Sequence, residues 1–166
     1  IGERFERREY FLAELMVSGE IVKEALQLLK PHIETEKVTS TGIAVIGTVE
    51  GDVHDIGKNI VALFLESRGF EVVDLGVDVP PKEFVGAVKE HEPQILAMSA
   101  LLTHSAPVMG VVISELEKVG LRGKIKVLVG GAPITPEFAE RIGADYAAKD
   151  ALDGVDKCLR WIKGGA

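Results

Sequence analysis

From residue 42 onward, short uninterrupted apolar runs alternate with longer stretches whose apolar residues recur at helical spacing. Runs rich in Val, Ile and Leu are typical of strands that helices cover on both faces. The predicted strands are Ile43–Thr48, Glu71–Leu75, Ile95–Ser99, Lys126–Val129 and Ala144–Ala147. The predicted helices are Gly57–Arg68, Pro81–Glu90, Ser105–Val119, Pro136–Ile142 and Ala151–Ile162. Successive β-α units predict an α/β fold, a Rossmann-like or flavodoxin-like five-stranded parallel sheet flanked by helices.

The first 37 residues follow a different pattern, in which helical spacing occurs without any strand-like run. Apolar positions on both sides of Ser18 and Gly19 predict two helices that end before Pro31. The polar stretch from Glu34 to Thr41 is interpreted as a linker. We therefore predict a helical domain at 1–37 and an α/β domain at 38–166. A helix pair this short cannot bury its own apolar stripe and needs a partner.

Composition excludes several classes of protein. With 46% apolar and 27% charged residues, the chain is predicted to be globular and soluble. The formal net charge of −7 argues against a general binder of nucleic acid or anionic membranes. No membrane span or secretory leader is recognised, so a cytoplasmic location is predicted. Cys158 is the single cysteine, which excludes an internal disulfide, and its place on an apolar stripe predicts a buried thiol.

The loop after the first predicted strand carries candidate chemistry, because open parallel sheets bind ligands beyond the carboxyl ends of their strands. It places Asp52, His54 and Asp55 within four residues, directly before a helix. An Asp two residues from a His can accept one ring N–H, which makes the other ring nitrogen a better ligand or base. Gly57 lets a bulky ligand approach the backbone. The alternative is a polar helix cap, formed by Asp52 or Asp55, with His54 in solvent.

Two later loops add hydroxyl groups and paired glycines. Ser99, Thr103 and Ser105 follow the third strand, where Thr103 or Ser105 could simply cap the next helix. Gly130 and Gly131 follow the fourth strand and allow either the close approach of a large flat ligand or a tight turn. The phosphate-loop pattern G-x-x-x-x-G-K-[ST] does not occur in the sequence.

Taken together, the three loops form a spaced signature. Asp52-x-His54-x-x-Gly57 is followed after 41 residues (58 to 98) by Ser99-x-Leu101, and after 28 more (102 to 129) by Gly130-Gly131. In order and spacing this resembles the cobalamin-binding signature of the methionine synthase type. The strings at 51–61 and 73–80 resemble its methyl-transfer branch rather than the mutases.

The N-terminal segment extends this resemblance. Phe5, the run from Tyr10 to Leu12, and Leu15 are similar to the end of the helical cap that precedes this fold in methionine synthase and in corrinoid proteins of anaerobic methyltransferase systems. About two of the four cap helices of that family fit here, so the 1–37 domain is expected to be a partial B12-binding cap.

The resemblance implies a cofactor and a role for each matched residue. The cofactor is cobalamin (methylcobalamin, cob(I)alamin or a related corrinoid), bound with its own base off the cobalt. His54 then becomes the lower axial cobalt ligand, Asp52 holds its other ring nitrogen, and Ser105 completes a proton relay. The other implied cofactor-binding residues are Val53, Asp55, Ile56, Gly57, Ser99, Leu101, Thr103, Gly130, Gly131, Ala132 and Ala148. Phe5, Leu12 and Leu15 would cover the upper, methyl-bearing face, or else form ordinary helix-pair core.

The function implied is that of a methyl carrier. Cycling between Co(I) and methyl-Co(III), it would move a methyl group from a substrate:corrinoid methyltransferase to an acceptor methyltransferase that uses a folate or a thiol. It would be a component of a methyltransferase system rather than a catalyst alone, with a reductive activator as a further partner and no nucleic acid or membrane partner. The alternatives are a cobalamin-dependent regulator or sensor, the cobalamin subunit of a mutase, and a cobalamin-independent flavodoxin-like signalling domain. His104, where methionine synthase usually has proline, is interpreted as a surface residue, a corrin contact or a partner contact.

Overall fold

The computed structural model describes residues 41–164 and seven earlier positions, which are Glu9, Val17, Ile21, Glu24, Ala25, Leu28 and Leu29. The chain divides into two compact units, Ile1–Glu34 and Thr35–Ala166. In the first unit, the described positions from Val17 to Leu29 are helical. Phe5, Leu12 and Leu15 lie outside the described residues, so the cap and its residues stay predictions.

The second unit is built on five parallel strands. They are β1 (Gly42–Thr48), β2 (Phe70–Asp74), β3 (Ile95–Ser99), β4 (Lys126–Gly130) and β5 (Tyr146–Ala148). Their order in the sheet is β2-β1-β3-β4-β5. After β1 the chain continues to β2 on one side of the sheet, whereas after β3 it continues to β4 and β5 on the other side. The loops after these two strands diverge at the carboxyl edge and leave a crevice between them, which is where sheets of this topology bind ligands.

Helices cover both faces of this sheet. They are α1 (Ile56–Ser67), α2 (Pro81–His91), α3 (Val108–Lys118), α4 (Pro136–Ile142) and α5 (Ala151–Ile162), with a short 3-10 turn at Arg122–Lys124. One buried cluster contains Phe84 of α2, Met109 of α3 and Val129 of β4. The other, on the opposite face, contains Leu65 of α1 and Cys158 of α5. Two apolar layers explain the uninterrupted strand sequences, and the predicted fold class is confirmed.

Several predicted boundaries differ from the observed ones by one residue, and two are wrong by more than that for local reasons. The helix predicted from Ser105 begins at Val108, because residues 103–107 form turns in which the N–H groups of Val108 and Met109 donate three residues back rather than four. The strand predicted from Ala144 begins at Tyr146. Gly143, with φ 77°, ends α4 in the left-handed conformation, and the N–H of Ala144 donates back to the carbonyl of Ala139. Ala144 therefore belongs to the helix terminus rather than to β5.

Cys158 is fully buried on α5, as predicted, and burial raises the pKa of its thiol to about 12 from the ordinary 9.0. The unfolded chain therefore ionises first as pH rises, so this residue should lower the free energy of unfolding only above pH 9. The expected loss is about 1.4 kcal/mol per pH unit. Urea denaturation of the wild type and of Cys158→Ala at increasing pH checks this. The prediction would be wrong if the free energy of unfolding fell equally steeply with pH in the two proteins above pH 9.

Candidate functional site

Asp52 and His54 form the centre of the site, in the loop between β1 and α1. Asp52 is 1% exposed, and its Oδ1 lies 2.7 Å from Nδ1 of His54 and accepts the His54 backbone N–H at 3.1 Å. The carboxylate favours the ring tautomer with a proton on Nδ1 and a lone pair on Nε2. Because the His54 side chain is 49% exposed, Nε2 can reach an incoming ligand.

The second carboxylate oxygen of Asp52 binds the loop after β3. Oδ2 accepts the N–H groups of Leu101 at 2.7 Å and Leu102 at 3.0 Å, and it lies 3.1 Å from Oγ of buried Ser105. The Ser105 hydroxyl also lies 2.9 Å from the carbonyl of Leu102, so its one proton is shared between two acceptors. The three predicted catalytic residues are thus in one hydrogen-bonded group.

The charge state of Asp52 follows from these contacts. Burial alone would raise the pKa of its carboxyl group. The hydrogen bonds from the Leu102 N–H, the His54 side chain, and the N–H groups of His54 and Leu101 outweigh burial and lower the pKa. Asp52 is therefore a carboxylate at neutral pH, able to stabilise a proton on His54 as well as to orient its ring.

The helix-cap interpretation of these loops is wrong. The carboxylate of Asp52 binds the β3 loop rather than the first turn of α1. Within the described part of the chain, Asp55 and Pro107 occupy the N-cap positions of α1 and α3, and neither position has a side-chain cap bond. Thr103 and His104 are exposed.

The loop after β2 also reaches this centre, although sequence reasoning assigned it no site residue. The N–H of Asp78 donates to the carbonyl of Asp52 at 2.9 Å, and its Oδ1 accepts the N–H of Gly51 at 2.7 Å. A parallel bridge between Val49 and Val79 continues the β1–β2 pairing into this region. The sequence signal that could have identified Asp78 was its position in the loop that follows β2, the strand next to β1.

A cavity of about 720 Å³ lies at the carboxyl ends of β1, β3, β4 and β5, beside the first turns of α1 and α5. Six predicted cofactor-binding residues line it, namely Gly57, Ser99, Gly130, Gly131, Ala132 and Ala148. Its inner wall is apolar, with Ile46, Val61 and Leu128 among the lining side chains. Volume and lining are typical of a pocket for a sizeable organic ligand.

The other predicted contacts lie outside this cavity. Val53, Asp55, Ile56, Leu101 and Thr103 are not among its lining residues. Val53 and Leu101 are 67% and 45% exposed, on the two loops that the Asp52 carboxylate joins. They place exposed apolar surface near the half-exposed imidazole.

Two glycines at the cavity differ in how closely the rest of the chain approaches them. At Gly131, φ is 129° and a Cβ would lie 1.8 Å from the carbonyl oxygen of Ala100, so the two loop backbones approach each other closely there. A Cβ at Gly57 would meet no described atom within 4 Å, so packing within the chain does not require glycine at that exposed position.

The donor set fits a metal held mainly by its own macrocycle. One imidazole backed by a carboxylate supplies a single strong axial ligand. Over the described residues, no group of three or more His, Cys, Asp or Glu side chains could hold a bare metal ion. With the adjoining cavity for an organic appendage, these residues fit a corrinoid.

Comparison with known proteins identifies the family to which the chain belongs. The B12 binding domain family matches residues 42–156, and a second B12 binding domain family matches residues 1–30. Trimethylamine corrinoid protein 1 of Methanosarcina mazei is 45% identical over 159 residues, which cover 95% of this chain and 74% of that protein. The chain belongs to the corrinoid proteins with a B12-binding domain. The predicted family and the predicted cofactor class, a cobalamin or related corrinoid, are confirmed.

Solved structures of corrinoid proteins share the fold. The monomethylamine corrinoid protein of Methanosarcina barkeri is 36% identical, with a TM-score of 0.87 over 96% of this chain and 76% of that chain. The methanol:cobalamin methyltransferase complex MtaBC of the same organism is 30% identical, with a TM-score of 0.74 over 99% of this chain and 62% of that chain. The cobalamin-independent signalling alternative is therefore wrong. Within the described residues, no helix has the length and apolar character needed to cross a membrane.

Proposed function

We propose that this corrinoid protein binds its cofactor with the nucleotide base displaced from cobalt and His54 in its place, and that it carries a methyl group between two methyltransferases. The observation that carries this proposal is the half-exposed His54 ring held through Nδ1, at 2.7 Å, by the buried carboxylate of Asp52. The neighbouring cavity of about 720 Å³ is where the displaced nucleotide tail would lie.

When bound, the corrinoid supplies a cobalt atom that accepts a methyl group and gives it up again. Nε2 of His54 would hold the cobalt, and Asp52 would keep the ring oriented and its nitrogen basic. Without cobalt the same lone pair would be free to hold a proton, and Asp52 would stabilise the resulting imidazolium. Ser105, which shares its proton between Asp52 and the Leu102 carbonyl, adjusts the hydrogen bonding of the carboxylate.

The relatives narrow the proposed methyl source and partners. Trimethylamine and monomethylamine appear in the names of the M. mazei and M. barkeri corrinoid proteins, so we assign a methylamine as the class of methyl donor. The MtaBC complex supports a donor methyltransferase as the first partner. The second partner would be an acceptor methyltransferase that uses a folate or a thiol, with a reductive activator as a third and the cytoplasm as the location.

The deciding experiment identifies the nitrogen bound to cobalt. Protein prepared with nitrogen-15-labelled histidine is loaded with unlabelled cobalamin, reduced to the Co(II) form, and examined by electron paramagnetic resonance. Coordination by His54 gives a doublet splitting from the labelled nitrogen, whereas coordination by the cofactor's own base gives a triplet. We expect the doublet.

Two variants complete this test. His54→Gly should remove the doublet and weaken cobalamin retention at least about tenfold, since even groups that only orient a metal ligand contribute about that much. His104→Gly is the matched control, because His104 is an exposed histidine on the neighbouring loop, and it should leave the doublet unchanged. A triplet in the labelled wild type would overturn the proposed coordination.

A further inference from the structure

Asp78 has an unusual backbone conformation for its position. Among the described residues, Asp78 with φ 55° and Glu92 with φ 43° are the non-glycine residues with positive φ. Side chains rarely adopt this left-handed region, although aspartate tolerates it better than most. Glu92 has an ordinary reason, since it follows the end of α2 and its N–H donates to the carbonyl of Val88. Asp78 lies in the loop after β2, at the ligand-binding edge of the sheet.

The left-handed conformation lets Asp78 hold two consecutive residues of the loop between β1 and α1. Its N–H donates to the carbonyl of Asp52 at 2.9 Å, while its Oδ1 accepts the N–H of Gly51 at 2.7 Å. Gly51 also has a positive φ, of 82°, which glycine adopts without strain. One side chain and one backbone group of Asp78 thus hold the peptide units on either side of the Gly51–Asp52 pair.

Both the side chain and the backbone of Asp52 are therefore held by hydrogen bonds. Its carboxylate is held by the N–H groups of Leu101 and Leu102 in the β3 loop, and its backbone carbonyl is held by Asp78 from the β2 loop. His54 follows two residues later and takes its ring orientation from Oδ1 of Asp52. Rotation of the Asp52 backbone would therefore move Oδ1 relative to His54 even while Oδ2 kept its partners.

We propose that Asp78 is a positioning residue for His54, which acts through Gly51 and Asp52 and fixes the imidazole in the orientation that binds cobalt. This inference rests on the proposed coordination by His54. The carboxylate of Asp78 is required as a hydrogen-bond acceptor, not as a charge. Its left-handed backbone is required so that the N–H and the side chain reach adjacent residues of the same loop.

Three variants test these requirements. Asp78→Asn keeps the acceptor oxygen and the tolerance for positive φ, and should match the wild type within about twofold. Asp78→Gly keeps the backbone but loses the acceptor, and Asp78→Ala loses both. In the latter two we expect a smaller fraction of bound cobalamin with the nitrogen-15 histidine doublet, and binding weaker by about three- to tenfold, near or below the lower end of the range for groups that orient a metal ligand.

Glu92→Ala is the matched control, because it also changes a non-glycine residue at positive φ, but at the end of α2. It should lower the melting temperature without changing the doublet fraction. If Asp78→Gly and Asp78→Ala lowered only the melting temperature and kept the wild-type doublet fraction, Asp78 would be structural alone and the inference would fail. A wild-type protein without the doublet would instead refute the coordination by His54.

Discussion

Replacing Asp52 by alanine is expected to lower the free energy of unfolding of the cofactor-free protein by about 2–4 kcal/mol. The buried carboxylate accepts hydrogen bonds from the Leu101, Leu102 and His54 N–H groups and contacts the His54 ring and Ser105. Without it, several donors lose their partner in a place that water reaches poorly. Each such buried, unpaired group costs about 1–3 kcal/mol, partly offset by the removal of a buried charge.

Asp52→Asn should recover little of this loss. An amide has one acceptor oxygen, so its NH₂ group must face either the Leu101 and Leu102 N–H groups or the His54 backbone N–H and ring Nδ1. Nδ1 can accept in the tautomer protonated on Nε2, but in either orientation at least one backbone N–H donor faces the NH₂ group. Ser105→Ala is the milder control, because Asp52 then keeps all its nitrogen donors, and the expected loss is about 1 kcal/mol. Urea denaturation measures all three. An Asp52→Ala protein within about 1 kcal/mol of the wild type would mean that the loops after β1 and β3 are not held together by this carboxylate.

Replacing Gly131 by alanine is expected to destabilise the domain by about 3 kcal/mol or more, or to prevent its folding. The added Cβ would lie 1.8 Å from the carbonyl oxygen of Ala100 and 2.8 Å from its carbonyl carbon, both backbone atoms, and φ of 129° is unfavourable for any residue with a Cβ. The β3 and β4 loops would have to separate. Since Leu101 and Leu102 follow Ala100 directly, the separation would also disturb Asp52 and should abolish cobalamin retention.

Gly130→Ala is the neighbouring control for this prediction. A Cβ at Gly130 would meet the Cβ of Ala148 at 3.8 Å and its carbonyl oxygen at 3.9 Å, which are ordinary contact distances. The expected change is within about 1 kcal/mol, as for most substitutions that create no clash. Circular dichroism and urea denaturation of both variants provide the comparison. Equal stability of the two variants would show that the close approach at Ala100 can relax at little cost.

The sequence predicted the fold well where burial determined the pattern. The apolar run at 95–99 marks β3 with its observed bounds, because helices cover both of its faces. Errors occurred where local hydrogen bonds compete with regular structure. Gly143 closes α4 and delays β5, and three-residue turn bonds before Val108 move the start of α3 past Ser105.

Within the site, contacts between closely spaced side chains could be predicted from the sequence, whereas contacts made by backbone groups could not. The two-residue separation of Asp52 and His54 predicted their hydrogen bond, because it depends on one short loop. The partners of Oδ2 at Leu101 and Leu102 are backbone N–H groups, which any residue carries, so their side chains gave no signal. The contacts of Asp78 depend on a positive φ and on how β1 and β2 align, neither of which is visible as a motif.

The two outer strands of the sheet bear on how such a protein behaves when crowded. β5 has only three residues, and β2 carries exposed acidic side chains at Glu71 and Asp74. Edge strands that are short or charged discourage pairing with the edge strands of other molecules. In the proposed role of visiting two enzymes in turn, the protein benefits from remaining a separate particle between visits, and these edge strands help to keep it one.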